Sequence, residues 1–406
     1  MHYIRLLKSP AQSHSGKKHT LDLVFTITTD LGDSFLYPDE PIDLTIHAEI
    51  STDSGPRTKV PLSLLPGTGK LQWRSGMRVA KPSVDISGVI QQASKSKCKV
   101  AICISTEKYS ARGVRDILAT TVDSEEEPAG QVMPVWITLK HDGGEVEVST
   151  RRLSLPGTTE QDSYVEFEEE IGESIARHIW DAGVLAFCAI AESCMLPTPT
   201  DTEPSGLKAL KSLFTGTKPI NALELGCGVG ILGGGLSVVF PRTRPPPSRR
   251  CTILMTDLEE AESRTRSNMS RLLQARQEHK SNTAPPVKLL YENLDWEQGR
   301  EGTFGPEAQS HRWDLVLLSD CTYNVDMLPA LVGTLSALHE SNTAQAGDQP
   351  QSTKVFLATK PRHASEEALF GLLSDQGWTE SHRQTLPLPV LGAETQCVEL
   401  YLYEKA

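Results

Sequence analysis

The sequence contains no pair of cysteines separated by two residues, although it holds eight cysteines in 406 residues. Such pairs form structural zinc sites and redox-active dithiols, so neither is indicated, and we expect no bound metal. Several of the cysteines lie within apolar runs, where a free thiol behaves as a small hydrophobic side chain. The pattern is typical of a protein from a reducing compartment.

Long apolar runs and an excess of positive charge are also missing. No apolar stretch approaches the roughly 18 residues of a membrane helix, and the first residues have too short an apolar core for a secretory signal. The chain has 40 Lys and Arg residues against 52 Asp and Glu residues, a formal net charge of −12. This balance argues against general nucleic-acid binding and against a membrane-surface binder. We therefore expect a protein of the cytoplasm, the nucleus or both, without a membrane partner.

The first 160 residues have the pattern of a β-rich domain. Runs rich in Val, Ile, Thr and aromatic residues, such as LDLVFTITTD (21–30) and IDLTIHAEI (42–50), alternate with clusters of Gly, Pro and Asp. Short strands at this spacing, with no convincing helix, predict an antiparallel sandwich or barrel over residues 1–160. No catalytic group of residues is visible there, so the domain acts either as a scaffold or in partner binding.

From residue 161 to residue 406 the pattern changes to alternating helices and strands. Residues 166–196 begin with acidic side chains, as the start of a helix prefers, and Ile171, Ile175 and Ile179 then recur every four residues. Five later apolar runs predict parallel strands with helices on both faces, and two C-terminal runs predict an antiparallel hairpin at one edge. The predicted fold is α/β, with a Rossmann-like doubly wound seven-stranded sheet.

Acidic residues stand at the carboxyl ends of four consecutive predicted strands. In a doubly wound sheet the ligand binds outside these ends, so the acids would converge on one crevice. One or two of them could be ordinary loop residues, but four are harder to dismiss. The acids are Glu224, Asp257, Asp295 and Asp320, and the fifth strand ends in Lys360.

The first of these strands leads into the glycine-rich segment GCGVGILGGG, residues 226–235. Gly226, Gly228 and Gly230 let the backbone turn tightly and approach a ligand closely. Read as GxGxxG, with the acid of the second strand on a ribose, the segment also matches the dinucleotide fingerprint. Glu224 favours another ligand, because a carboxylate there repels a pyrophosphate but suits a sulfonium and an ammonium group. S-adenosylmethionine is therefore the favoured cofactor, and NAD is the distant alternative.

Five short segments, in this order, resemble family 16 of the seven-strand (class I) methyltransferases, a group rich in protein lysine methyltransferases. The segments are HIWDAGVLA (178–186), LELGCGVGILG (223–233), TDLEEA (256–261), LDW (294–296) and SDCTY (319–323). The resemblance covers residues 165–405 and depends on the order and spacing of the segments. It implies the seven-strand fold and methyl transfer from S-adenosylmethionine.

The resemblance also implies roles for individual residues around the cofactor. Trp180 would pack against its methionine part, and Asp257 would hold its ribose. Asp295 and Trp296 would flank the adenine, and Ser319 would touch the cofactor through its backbone. The full set that the resemblance places around the cofactor is Trp180, Glu224, Gly226, Gly228, Gly230, Asp257, Asp295, Trp296 and Ser319.

Some of these residues have an equally simple structural interpretation. Trp180 lies in a predicted apolar helix and Trp296 beside a strand end, where each serves equally well as a core residue. Asp257 precedes Glu259 and Glu260 and suits the N-cap of the following helix. The glycine segment has no such alternative, because so many glycines would weaken an ordinary junction between a strand and a helix.

Asp320 and Tyr323 match the family's DxxY motif, which lies beside the substrate amine. A lysine amine has a pKa of about 10.4 in water and must be neutral to attack a methyl group. A carboxylate raises the pKa of an amine beside it, so Asp320 suits an acceptor that orients the amine better than a strong base. Tyr323 can hydrogen-bond the amine, and its ring can hold the cationic product. Lys360, Arg362 and His363, after the fifth strand, receive no site role.

The sequence therefore favours an S-adenosylmethionine-dependent N-methyltransferase that modifies lysine side chains of a partner protein. A methyltransferase for a small amine would use the same crevice. An alternative of another class is a non-catalytic interaction protein, in which the β-rich domain does the work and the methyltransferase fold is a relic. The intact glycine segment and DxxY motif argue against that alternative, and Glu224 argues against an NAD-dependent enzyme.

Overall fold

The chain forms two compact units in the computed structural model. The structure describes residues 1–52, 57–65, 69–96, 98–119, 131–140, 144–157, 164–172, 177–196, 205–243, 245–246, 248–278, 287–346, 352–388, 390–391 and 396–406. The first unit comprises Met1–His178 and Leu388–Gln396, and the second comprises Ile179–Pro387 and Cys397–Ala406. This division falls later in the chain than the boundary that composition predicts after residue 160.

Strands dominate the first unit. They lie at His2–Leu6 (β1), Ala11–Ser15 (β2), Lys18–Asp22 (β3), Phe25–Thr29 (β4), Ile42–Ser51 (β5), Thr58–Pro61 (β6), Gln72–Trp73 (β7), Ser83–Asp85 (β8), Lys99–Thr106 (β9), Val132–Met133 (β10), Val135–Thr138 (β11), Val148–Ser154 (β12) and Tyr164–Glu170 (β13). Helices at Ser87–Ser96 (α1) and Val114–Ala119 (α2) occur as well, which the sequence pattern did not indicate.

Antiparallel pairing organises most of this unit. A seven-stranded sheet has the order β13-β12-β11-β9-β5-β6, with β7 paired to β5, and three-stranded sheets have the orders β10-β1-β4 and β2-β3-β8. Ile46, Ile104 and Ile137, from the three neighbouring strands β5, β9 and β11, are buried in one apolar core. Branched side chains from adjacent strands pack well on a pleated surface, which is why these runs form strands.

The predicted helix over residues 166–196 is wrong in its first part. Tyr164–Glu170 is a strand that pairs antiparallel with β12, and the helix begins only at Asp181. Buried and half-buried residues alternate along the strand, which is the period of a sheet. Glu169, on the buried side, accepts a hydrogen bond of 2.8 Å from the equally buried Arg151. The acids therefore belong to a strand with a buried ion pair and do not start a helix.

The second unit alternates strands with helices. Its strands are Ile220–Leu225 (β14), Cys251–Asp257 (β15), Val287–Asn293 (β16), Leu315–Ser319 (β17), Thr353–Thr359 (β18), Thr379–Leu388 (β19) and Gln396–Lys405 (β20). Its helices are Asp181–Met195 (α3), Ser205–Thr215 (α4), Ile231–Arg242 (α5), Glu259–Glu278 (α6), Trp296–Gly299 (α7), Pro306–Gln309 (α8), Leu328–Ala346 (α9) and Ala368–Asp375 (α10), with short 3₁₀ turns at Val325–Met327 and Ala364–Glu367.

These strands form one seven-stranded sheet with the order β16-β15-β14-β17-β18-β20-β19. Strands β14 to β18 are parallel to one another, and β20 runs antiparallel to β18. The prediction of an α/β fold with a seven-stranded sheet is confirmed. The strand order reverses at β14, which lies between β15 and β17, so a crevice opens at the carboxyl ends of these strands. None of the helices in the described ranges has the length and apolar character that a bilayer crossing requires.

Helices α3 and α5 approach each other closely because α5 begins with a run of glycines. A Cβ atom on Gly235 would lie 2.5 Å from ring atoms of Phe187 on α3. A Cβ atom on Gly183 of α3 would lie 2.9 Å from Ile231 Cγ2 and 3.2 Å from Ser319 Oγ. The start of α3 is thereby held against the end of β17, where the predicted site residues begin.

We expect Gly235→Ala to lower the free energy of unfolding by about 1–3 kcal/mol, because the added methyl group overpacks a contact with a fixed aromatic ring. The matched control is Gly371→Ala in α10, where a Cβ meets nothing within 4 Å. That change should raise the free energy of unfolding by up to about 1 kcal/mol, through helix propensity alone. Chemical denaturation followed by circular dichroism measures both, and changes of the same sign would contradict the packing argument.

Candidate active site

The carboxyl ends of β14, β15 and β17 surround the crevice with the residues that the sequence singled out. Each of the five parallel strands ends at the same edge of the sheet, so the loops that follow them share one region. The predicted residues at these strand ends and in the segments that follow them are Glu224, Gly226, Gly228, Gly230, Asp257, Asp295, Trp296, Ser319, Asp320 and Tyr323. Trp180 joins them as the residue directly before α3.

The glycine segment turns through a backbone conformation that side chains disfavour. Gly226, Gly228 and Gly230 have φ angles of 66°, 53° and 83°. A Cβ atom on Gly226 would lie 2.7 Å from Cys321 Sγ and 3.2 Å from Trp296 Cζ2. Glycine is therefore required at position 226 for two reasons: its φ angle is positive, and two neighbouring loops lie too close for a side chain.

Helix α6 holds the glycine segment from the other side. The Thr265 hydroxyl donates to the carbonyl oxygen of Gly228 at 2.5 Å, and the Asn268 amide donates to the carbonyl oxygen of Val229 at 2.9 Å. Both side chains are buried. These two hydrogen bonds from α6 therefore fix the shape of the glycine segment.

Glu224 lies inside the sheet and is 0% exposed. Its Oε2 atom accepts a hydrogen bond of 2.9 Å from the backbone N–H of Gly233, in the first turn of α5. Its Oε1 atom has no hydrogen-bond partner among the described residues. Burial raises the pKa of Glu224 to about 8, and the charge of Asp257 adds to the shift.

Asp257 binds the glycine segment. Its carboxylate accepts hydrogen bonds of 2.7 Å from the N–H of Gly228 and 2.8 Å from the N–H of Leu258. Burial raises the pKa of Asp257, and these two bonds partly offset the rise. Leu258, the next residue, is 53% exposed. Asp257 and Leu258 together present a carboxylate and an apolar side chain at the end of β15.

Asp295 and Trp296 both have structural contacts at the carboxyl end of β16. Asp295 is the N-cap of α7, and its side chain accepts a hydrogen bond of 2.9 Å from the N–H of Glu297. Trp296 is partly buried against the core of the second unit, and its ring also lies beside Gly226. The same side chain is thus a core residue and a wall of the glycine segment.

Asp320 has a φ angle of 53°, which makes it the non-glycine residue with positive φ in the described ranges. Its carboxylate is enclosed by donors. Oδ2 accepts hydrogen bonds from the backbone N–H groups of Ala182, at 2.7 Å, and Gly183, at 3.3 Å. Oδ1 accepts a hydrogen bond of 2.8 Å from Arg362 Nη1. Asp320 therefore caps α3 from a distant part of the chain and binds a guanidinium group as well.

The rest of the DxxY loop, residues 321–323, makes contacts with two neighbouring parts of the chain, and its last residue is exposed. The Thr322 hydroxyl donates to the buried carboxylate of Glu366 at 2.5 Å, and its oxygen lies 2.9 Å from Thr359 Oγ1. Cys321 Sγ lies 3.3 Å from the carbonyl oxygen of Leu225. Tyr323 is 58% exposed. These contacts fix the loop, while the phenol of Tyr323 lies exposed at the rim of the crevice.

The turn after β18 contributes two cations that the sequence analysis left without a role. Lys360 Nζ donates to the buried Asp181 carboxylate at 2.7 Å. Arg362 pairs with Asp320, and its guanidinium lies over the ring of Trp180, 5.4 Å from the ring centre. Two features of the sequence could have indicated these contacts. One is the K-x-R spacing of residues 360–362 directly after a strand, and the other is the acid of the WD pair at 180–181.

Comparisons with known proteins agree with the resemblance seen in the sequence. Residues 159–376, more than half of the chain, match a family model described as lysine methyltransferase. Over 380 residues the chain is 25% identical to UPF0665 family protein C23C4.06c of Schizosaccharomyces pombe, covering 93% of this chain and 94% of that protein.

Solved structures similar to this chain include methyltransferases. One is a SAM-dependent methyltransferase of Methanosarcina mazei, with 9% identity, a TM-score of 0.30 and coverage of 47% of this chain and 93% of that one. Another is the precorrin-6y C5,15-methyltransferase of Geobacter metallireducens, with 14% identity, a TM-score of 0.29 and coverage of 52% and 94%.

The family match includes in full all five segments that carried the resemblance, together with the start of the second unit and its crevice. The cofactor of this family is S-adenosylmethionine, as the glycine segment and Glu224 indicated. The chain therefore belongs to the lysine methyltransferase family that the model describes.

Proposed function

We propose that this protein transfers a methyl group from S-adenosylmethionine to lysine side chains of another protein. The observation that carries the proposal is the exposed phenol of Tyr323 on a loop that also forms a wall of the glycine segment. Small-molecule sites enclose most of their ligand, whereas a residue of a folded partner needs an open approach. A tyrosine that is 58% exposed offers such an approach.

Two features of the crevice fit the cofactor. The glycine segment holds its backbone at positive φ angles that glycine adopts readily, and a buried oxygen of Glu224 has no hydrogen-bond partner among the described residues. We propose that Glu224, Gly226, Gly228 and Gly230 bind the methionine part. The remaining proposed cofactor contacts are Trp180, Asp257, Asp295, Trp296 and Ser319.

Bound S-adenosylmethionine supplies an electrophilic methyl group, whose bond to sulfur breaks as the nitrogen lone pair forms the new N–C bond. The protein's share is to position a neutral amine and to exclude water. We propose that the hydroxyl oxygen of Tyr323 accepts an N–H of the amine and so aims the lone pair. Partial burial and nearby acids, Asp257 and Glu260 among them, raise the pKa of the Tyr323 hydroxyl, which keeps it neutral.

Asp320 is proposed as the second residue of this substrate site, with a narrower part than the sequence suggested. Two backbone N–H groups of α3 and the guanidinium of Arg362 already donate hydrogen bonds to its carboxylate. Its main contribution is therefore to fix the loop that carries Tyr323 and to set the local charge.

Gly226→Ala tests the cofactor site. We expect it to weaken S-adenosylmethionine binding at least about tenfold, because the added methyl group meets Cys321 and Trp296 and displaces the loop. The control is Gly302→Ala, which has φ of 76° but meets nothing within 4 Å. Both variants carry the strain of a left-handed alanine, so only the first should lose affinity in calorimetry. Equal losses would contradict the assignment.

Glu224 should make cofactor binding depend on pH. The free protein holds a proton on Glu224 at neutral pH, because burial raises its pKa to about 8. A cation bound beside the group favours its ionised form, so binding should release a proton, and affinity should rise as the pH rises toward 8. Calorimetry in buffers of different ionisation enthalpy measures the release. Glu224→Gln should show no release, and an unchanged release would refute this role.

Tyr323→Phe tests the reaction itself. Loss of one hydrogen bond to the amine should lower the rate of methyl transfer by about tenfold or more, with cofactor affinity unchanged. The assay uses tritiated S-adenosylmethionine, a protein extract of cells that lack this protein, and analysis of the hydrolysed products. Methyl-lysine in protein supports the proposal. Label confined to small amines would favour the small-molecule alternative, and absence of transfer would favour an interaction protein.

A further inference from the structure

Thr322 lies directly before Tyr323 in the DxxY loop, and its side chain is buried. Its hydroxyl donates a hydrogen bond of 2.5 Å to Glu366 Oε2, and the same oxygen lies 2.9 Å from Thr359 Oγ1. A threonine hydroxyl has a single hydrogen, which here goes to the carboxylate, so Thr359 is the donor in the second bond. Thr322 is therefore the middle member of a directed chain of hydrogen bonds from Thr359 to Glu366.

Glu366 is itself held by the short turn that carries it. Its other oxygen, Oε1, accepts a hydrogen bond of 3.1 Å from the backbone N–H of His363. The His363 side chain accepts in return from the backbone N–H of Ser365 at 3.2 Å, and the turn closes as a capping box. Both oxygens of this buried carboxylate are thus used, one for its own turn and one for the DxxY loop.

Tyr323 has few constraints of its own. Among the residues that the structure describes, its phenol makes no hydrogen bond and no ring contact, and the side chain is largely exposed. Its position therefore follows from its backbone, and the buried side chain of Thr322 anchors that backbone one residue away. The anchor matters for chemistry, because a misplacement of about 1 Å can lower a rate on the order of a hundredfold.

We propose that Thr322 and Glu366 are positioning residues for methyl transfer, which hold the DxxY loop so that the Tyr323 hydroxyl meets the substrate amine. The inference rests on the proposed function, because it assigns parts in the same substrate site. Both side chains are buried and bonded to protein groups, so each acts on the amine through Tyr323. The turn after β18 thereby sets the position of a residue in the loop after β17.

The test is a double-mutant cycle between Thr322→Val and Tyr323→Phe, with the rate of methyl transfer measured at saturating tritiated S-adenosylmethionine. Valine has nearly the shape of threonine without its hydroxyl, so Thr322→Val alone should lower the rate about tenfold. In the Tyr323→Phe background the positioned hydroxyl is already absent, so the same change should lower the rate by less than about twofold. A general loss of structure would lower the rate by the same factor in both backgrounds.

Two more variants test the hydrogen bond itself. Thr322→Ser keeps the hydroxyl and should keep most of the rate. Glu366→Gln keeps the size of the side chain but replaces one accepting oxygen with an amide nitrogen, so it should lower the rate as Thr322→Val does. It also takes the place of Thr322→Val in the cycle if that variant does not fold.

Thr353→Val is the matched control. Thr353 is the first residue of β18, at the other end of the strand from Thr359, and its buried hydroxyl contacts His339 and Asn342. The change removes a buried, hydrogen-bonded hydroxyl from the same unit, away from the DxxY loop. It should leave the rate of methyl transfer unchanged.

Hydrogen exchange in the protein without substrates measures the loop independently of the reaction. The backbone amides of residues 321–324 should exchange faster in Thr322→Val and in Glu366→Gln than in the wild type, because the loop has lost its buried anchor. In Thr353→Val and Thr322→Ser, exchange in this segment should match the wild type. Mass spectrometry of peptic fragments measures the difference.

The outcomes distinguish this inference from the proposed function. Calorimetry with S-adenosylmethionine shows first that each variant is folded and binds the cofactor. With an active wild type, the inference alone is overturned by equal losses in the two backgrounds, by a Thr322→Ser rate as low as that of Thr322→Val, or by unchanged exchange at residues 321–324. A wild type that methylates no lysine overturns the proposed function, and the inference falls with it.

Discussion

The hydrogen bonds of one carboxylate, that of Asp320, join three parts of the second unit that lie far apart in the sequence. They link the end of β17 to the first turn of α3, more than a hundred residues earlier, and to the turn after β18. A buried carboxylate is costly without donors, and here two backbone N–H groups and a guanidinium compensate it. The same bonds cap a helix whose own N-cap, Trp180, supplies no side-chain hydrogen bond.

The glycine segment depends on a second carboxylate in a similar way. Asp257 binds the N–H of Gly228, while α6 binds two carbonyl oxygens of the segment. These bonds hold three glycines in a conformation that other residues avoid. A loop arranged in advance loses less conformational entropy when it binds a ligand. The crevice thus combines a preorganised glycine segment with a DxxY loop fixed by an ion pair.

The sequence predicted the second unit better than the details of its site. The sequence was enough to predict the parallel strands, the residues at their ends and the family, because strand periodicity and motif order are local properties. The helix over 166–196 was wrong in its first part because acids suggested a helix start, while the alternation that makes Tyr164–Glu170 a strand went unread. Arg362 and Lys360 were left without a role, since their partners, Asp320 and Asp181, are distant in the chain.

The sequence by itself determined the fold class, the cofactor and the family of this protein, since glycines, strand-end acids and their spacing carry that information locally. The tertiary structure decided how these residues are used. It showed that Asp257 binds the glycine segment, that Trp296 serves both core and crevice, and that Asp320 binds Arg362 and caps α3. Such pairings depend on which strand ends become neighbours in the sheet, and only the folded chain settles that.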